Sequence, residues 1–113
     1  MSFKDSWKEI TAFQDLYYPC WRRNKSKLLF STALAGEIGE VCDVVSHLEG
    51  GGTNTRVYTS FQVLHQCVDS YIQLVLLLAR YGFSAEDFEK EFDRVLHEEL
   101  LERLAKKVKV EVK

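Results

Sequence analysis

Proline, methionine, glycine and paired cysteine are all scarce in this chain. It has one proline, one methionine and six glycines. Its three cysteines, Cys20, Cys42 and Cys67, form no Cys-x-x-Cys pair and are odd in number. That pattern excludes a disulfide framework and offers no zinc spacing. Each cysteine has apolar neighbours, in Pro-Cys-Trp, Val-Cys-Asp and Gln-Cys-Val, which predicts three buried thiols in a reducing compartment. An excess of charge is missing too. The 15 Lys and Arg stand against 17 Asp and Glu, for a net charge of −2. A general binder of nucleic-acid polymer would be basic, so no such partner is expected. Long apolar runs are absent as well. The longest, Ser70 to Ala79, is about half of what a membrane-spanning helix needs. The first residues, Met-Ser-Phe-Lys-Asp-Ser-Trp-Lys-Glu, are charged and give no apolar signal core. The expectation is a cytoplasmic domain with no membrane partner.

What is present is apolar and helical. Of 113 residues, 46% are hydrophobic and 12% aromatic, enough for one domain over 1–113 with its own core. Period-2 alternation is nearly absent before the tail, so the fold class is all-α. The box Ser6-Trp-Lys-Glu9 predicts a first helix with Trp7, Ile10, Phe13, Gln14 and Tyr17 on one face, ended by Pro19. A basic connection, Arg22 to Lys27, follows. A second helix is expected from about Ser26 to Glu49, stopped by Gly50-Gly51-Gly52, with Thr53 to Val57 as a loop. Thr59-Ser-Phe-Gln62 caps a third helix that runs to Tyr81 and Gly82. This helix is apolar nearly all round, which predicts burial on most sides and contact with another subunit. Ser84-Ala-Glu-Asp87 caps a fourth, reaching about Lys107. The tail, 108–113, alternates and is expected to be frayed or a short edge strand.

The chemistry concentrates in Ala33-Leu-Ala-Gly-Glu37-Ile-Gly-Glu40-Val-Cys-Asp43. Three residues apart on a helix, Glu37 and Glu40 share a face, where like charges repel. Gly36 and Gly39 cost a helix stability unless something must approach closely. Gln66-Cys-Val-Asp69 repeats the spacing inside the greasiest segment, with Asp69 the only charge between Val57 and Ala79. A buried aspartate needs a proton or a cation. Antiparallel packing of the two helices would gather Glu37, Glu40, Asp69 and the Gln66 carbonyl into an oxygen-rich site suited to Mg²⁺ or Mn²⁺. His47 and His65 lie close enough in sequence to add nitrogen donors; His97 has no evident role.

Leu34-Ala-Gly-Glu37-Ile-Gly-Glu40-Val, followed by Gln66-Cys-Val-Asp69, the apolar run and Tyr81-Gly-Phe, resembles the MazG-like all-α nucleoside triphosphate pyrophosphohydrolases. The resemblance covers about Trp21 to Arg94. It implies a four-helix module assembled as a homodimer or homotetramer, with Glu37, Glu40 and Asp69 as Mg²⁺ ligands. It implies an enzyme that cleaves a nucleoside triphosphate to the monophosphate and pyrophosphate, with Glu37 or Glu40 taking the proton of the attacking water. Lys90 and Arg94 match the region of nucleotide contacts, and Lys27, Arg22, Arg23 and Trp21 are further candidates for phosphate or base. Gln66 departs from the pattern, since the family has an acid there. That substitution removes one negative charge, which Asp43 or Glu49 would have to supply. It motivates an alternative: a nucleotide-binding or regulatory helical module with a weakened metal site.

Overall fold

The computed structural model describes residues 2–50 and 58–112, with side chains through residue 108. Gly51 to Val57, expected to be a loop after the second helix, lie outside the described residues. The described residues are helical throughout, with no strand: α1 (Phe3–Tyr17), α2 (Trp21–Asn24), α3 (Lys27–Leu48), α4 (Ser60–Arg80), α5 (Ala85–Arg94), a π-helical turn (Val95–Leu100) and α6 (Leu101–Val112). The all-α expectation therefore holds.

Helix starts follow their caps. Ser26 Oγ accepts from the Leu28 amide at the start of α3, and Ser84 pairs with Asp87 in a capping box at α5. At α4 the Thr59 amide donates to Gln62 Oε1 at 2.6 Å. Helix α1 corrects the sequence reading. It begins at Phe3, one turn early, because Ser2 and Asp5 form the capping box in place of Ser6 and Glu9. That frees the Ser6 hydroxyl to meet Tyr71 Oη at 2.7 Å and to tie α1 to α4. The expected basic connection is also partly helical, as α2. Gly82, at φ +89°, turns the chain out of α4, as only a residue without a Cβ does easily. Of the expected tail, residues 108–112 continue α6 as helix, with no strand, and Lys113 lies outside the described residues.

Helix α4 is the axis of the molecule. Val75, Leu76 and Ala79 on its last turns are buried. One cluster joins Leu76 and Ala79 to Trp21 and Phe30; the other joins Val75 to Trp7 and Ala85, with Tyr71, Leu78 and Phe88 around it. Arg80 Nε donates to the Lys25 carbonyl at 2.8 Å and so pins the end of α4 to the α2–α3 joint. By length and composition α4 would also suffice to cross a membrane, with a hydropathy of 1.2.

The first half of α4 is different, and here a sequence expectation fails. Phe61, Leu64 and Val68 are exposed, as are Leu28, Leu29, Ile38 and Val45 on α3. Within one chain α4 is not buried on most sides. Cys20, Cys42 and Cys67 are likewise exposed, not buried. A Cβ built on Gly36 or Gly39 would meet nothing within 4 Å, so no neighbour in the same chain explains either glycine. The chain is extended overall. Its radius of gyration is 18.2 Å, against about 13 Å for a compact chain of this length. Its accessible surface is 8645 Å², against about 6,400 Å² expected for the mass.

The capping box at α5 makes one test of this fold. Hydrogen bonds from the Ser84 amide and hydroxyl hold the Asp87 carboxyl below its ordinary value. A depressed acid stabilises the fold above its unfolded pKa, and that contribution is lost as pH falls through the folded one. Asp87→Ala should therefore lower the melting temperature at neutral pH. The gap to the unmodified chain should close in acid, below the ordinary aspartate range.

Candidate metal centre

The site is built at the contact between α3 and α4, the most extensive helix pairing among the described residues. Helical spacing puts Glu37 and Glu40 on one face of α3, and Gln66 and Asp69 on one face of α4. The two helices run antiparallel, so these faces meet, and Glu37 feels the charges of both Glu40 and Asp69. Three of the four expected ligands are thus electrostatically coupled. Gln66 lies one turn before Asp69 on the same helix.

Glu37 is the centre of the arrangement. It is half-buried, with Oε2 closed off from solvent and without a hydrogen-bond partner. Gln66 Oε1 is in the same condition. These two are the buried side-chain oxygens or nitrogens left without a partner among the described residues. Each such atom carries a desolvation cost that a native fold normally avoids. The Glu37 carboxyl is held above its ordinary value. Loss of hydration is the main cause, followed by the charges of Glu40 and Asp69. His65 acts in the opposite direction. Its Nε2 lies 3.4 Å from Asp69 Oδ2, one turn along α4.

Both orphan atoms are oxygens, and their neighbours are carboxylates. A hard cation such as Mg²⁺ or Mn²⁺ suits that donor set. Among the described residues, no three His, Cys, Asp or Glu side chains are drawn tightly enough together to hold an ion unaided. Mg²⁺ seldom needs such a cage. It is commonly held by one or two carboxylates, with waters and substrate phosphates completing the octahedron.

The compensating acid proposed from sequence is engaged elsewhere. Asp43 lies 3.5 Å from His47 Nδ1, and that ring also sits 2.8 Å from the Asp43 carbonyl and stacks on Tyr58 at 4.4 Å. His47 therefore closes the far end of the α3–α4 pair. His65, which the sequence left among several candidates, is the histidine that reaches the acids. The i,i+4 spacing to Asp69 was the available signal.

The basic and aromatic candidates are not gathered at the carboxylates. Trp21 is 1% exposed and cannot stack on a base; its indole N–H donates to Asp15 Oδ1 at 2.6 Å, and its ring meets Phe30 edge-on. Lys27 lies over the Tyr81 ring, about 15 Å along α3 from Glu37. Arg22 pairs with Asp15, and Lys90 lies 3.6 Å from Glu86. Arg94 donates to Glu91 at 2.9 Å and to Glu99 at 3.1 Å, which strengthens its hold on its proton. Arg23 is exposed. Lys27, Arg22, Lys90 and Arg94 are each held by a partner other than the site's carboxylates.

Comparison with family models, with curated proteins and with solved structures finds no match for this chain.

Replacing Glu37 with glutamine tests the centre directly. It removes a desolvated charge and its repulsion by Glu40 and Asp69. The metal-free Glu37→Gln protein should melt higher than the unmodified one. Mg²⁺ or Mn²⁺ at about 100 times its dissociation constant should stabilise the unmodified protein by about 2.7 kcal/mol and leave the variant unmoved. Calorimetric melts with and without the ion read both effects.

Proposed function

We propose that the chain is a Mg²⁺-dependent nucleoside triphosphate pyrophosphohydrolase, with Mn²⁺ as a substitute, acting in the cytoplasm as a homodimer or homotetramer. It takes a ribo- or deoxynucleoside triphosphate to the monophosphate and pyrophosphate. The observation that carries this reading is the pair of orphaned oxygens, Glu37 Oε2 and Gln66 Oε1, beside the coupled carboxylates of Glu40 and Asp69. The resemblance of Glu37-Ile-Gly-Glu40 and Gln66-Cys-Val-Asp69 to the MazG-like pattern supplies the reaction.

Glu37, Glu40 and Asp69 would hold the ion, with the neutral Gln66 carbonyl as a fourth oxygen. When bound, the ion neutralises phosphate charge and lowers the pKa of water near it. The protein's own contribution begins with Glu37 and Glu40, one of which takes the proton of the water that attacks the α-phosphorus. The contact of α3 with α4 closes Glu37 Oε2 and Gln66 Oε1 off from solvent. A second copy would cover the open side at Gly36 and Gly39, where a backbone or a substrate can approach without meeting a Cβ. Lys27, Lys90 and Arg94 would reach phosphates only after leaving their present partners.

A second reading rests on Gln66. Where the family pattern has an acid, this chain has an uncharged amide, one negative charge fewer for the ion. The same fold would then bind nucleotide without efficient turnover, as a regulatory module.

A panel of nucleoside triphosphates, scored for pyrophosphate release with Mg²⁺ or Mn²⁺, separates the two. The enzyme reading expects release from at least one member. Glu40→Ala or Asp69→Asn should cut it by more than about 100-fold, the upper range for outer-shell partners of metal sites. No release from any member, with binding retained in calorimetry, would leave the regulatory reading. A large gain of activity in Gln66→Glu would then mark the missing charge as the cause.

A further inference from the structure

The last quarter of the chain presents an apolar stripe whose first member, Phe92, meets the Phe3 ring edge-on and whose other members face solvent. Helix α5, the π-helical turn and α6 form one continuous helical segment from Ala85 to Val112. Phe92, Leu96, Leu100 and Leu104 recur every four residues and are all exposed. In an ordinary α-helix a four-residue spacing drifts around the axis by about 40° per step. The wider π-helical turn, Val95–Leu100, offsets that drift and keeps the four on one face. Beside the stripe, Phe88, Glu91, Phe92 and Val95 line an open hollow of about 220 Å³.

Charge is divided along the segment. Helix α5 carries Glu86, Asp87, Glu89, Glu91 and Asp93 against Lys90 and Arg94. The described side chains of α6 carry Arg103, Lys106 and Lys107 against Glu102. Because α6 continues straight on from α5, the basic half cannot fold back on the acidic half of the same chain. A second chain, laid antiparallel, brings the basic α6 of each copy onto the acidic α5 of the other. A parallel arrangement would set acid on acid along the whole of α5, whereas the antiparallel one does so only at the π-helical turn, where Glu98 and Glu99 lie and Arg94 pairs with Glu99.

We infer that this segment pairs with the same segment of a second copy, antiparallel, about a two-fold axis at the level of Glu98. Phe92 faces Leu104 of the other copy and Leu96 faces Leu100, with a leucine side chain entering the hollow beside Phe88. In an antiparallel pair, residues that precede the stripe share a flank, so Glu91, already paired with Arg94 of its own chain, also meets the Arg103 of the other copy. The whole chain, the exposed faces of α3 and α4 included, carries about 2,200 Å² more accessible surface than a compact chain of this mass, enough to contribute to more than one interface of standard size. This pairing is separate from the Gly36 and Gly39 face and does not depend on nucleotide hydrolysis.

The test is the mass in solution of the full chain, by sedimentation or light scattering, without nucleotide. Leu100→Asp with Leu104→Asp should halve it while circular dichroism keeps its helical signal. Glu91→Arg and Arg103→Glu should each weaken association by about tenfold, since each places like charges at two symmetric positions. The double exchange should restore it. A monomeric unmodified chain, a mass unmoved by the leucine variants, or a double exchange no better than either single one would overturn the pairing. So would paired segments whose ends, spin-labelled, lie parallel.

Discussion

The packing of α3 against α4 is the contact on which the rest of the structure depends. It places carboxylates from two helices within reach of one another's charge, at the edge of an apolar layer. Those acids gain nothing from each other. The Glu37 carboxyl resists ionisation because water is removed from it and because Glu40 and Asp69 face it. The apolar clusters supply the stability that holds such an arrangement in place. They lie at the other half of the same pair, where Trp21, Phe30, Leu76 and Ala79 close one core and Trp7, Val75 and Ala85 the other. The molecule thus has a packed end, anchored by α1, α2 and α5, and an acidic end where α3 and α4 cover only each other.

This division accounts for the exposed side chains. Ile38, Val45, Phe61, Leu64 and Val68 are residues a core would take, yet no helix of the same chain lies over them. The same holds for α6. Stability of the single chain comes from one end, and the remaining apolar surface is available for association. In a chain of this length such surface would be a liability if it stayed open to solvent.

Local signals were legible in the sequence where they are local in physics. The limits of α3 and α4, and the start of α5, follow from Ser26, Thr59, Ser84 and Gly82, each acting within one helical turn. The pairing of Glu37 with Asp69 was legible because two three-residue spacings sit on helices joined as an antiparallel pair. What was not legible depended on competition or on distance. Ser2 and Asp5 outcompeted Ser6 and Glu9 as a cap because Tyr71, far along the chain, gave the Ser6 hydroxyl another partner. Trp21 looked available to a base, but Phe30 and Asp15 claim it from two other elements. The cysteines' apolar neighbours implied burial, whereas Cys42 and Cys67 stand on outward helix faces and Cys20 on the turn before α2. Lys90 and Arg94 matched a family region in order, but the carboxylates of their own helical segment hold them.

The placement of the aromatic residues also gives the molecule a way to report on itself. The chain has two tryptophans, and each core cluster contains one of them. Trp7 sits among α1, α4 and α5, while Trp21 sits where α2, α3 and α4 meet. Indole emission moves to longer wavelength when water reaches the ring. Loosening of either cluster therefore has its own optical signature, resolved by removing one tryptophan at a time. The acidic end has no tryptophan, so its rearrangements leave that signal untouched unless they reach the cores.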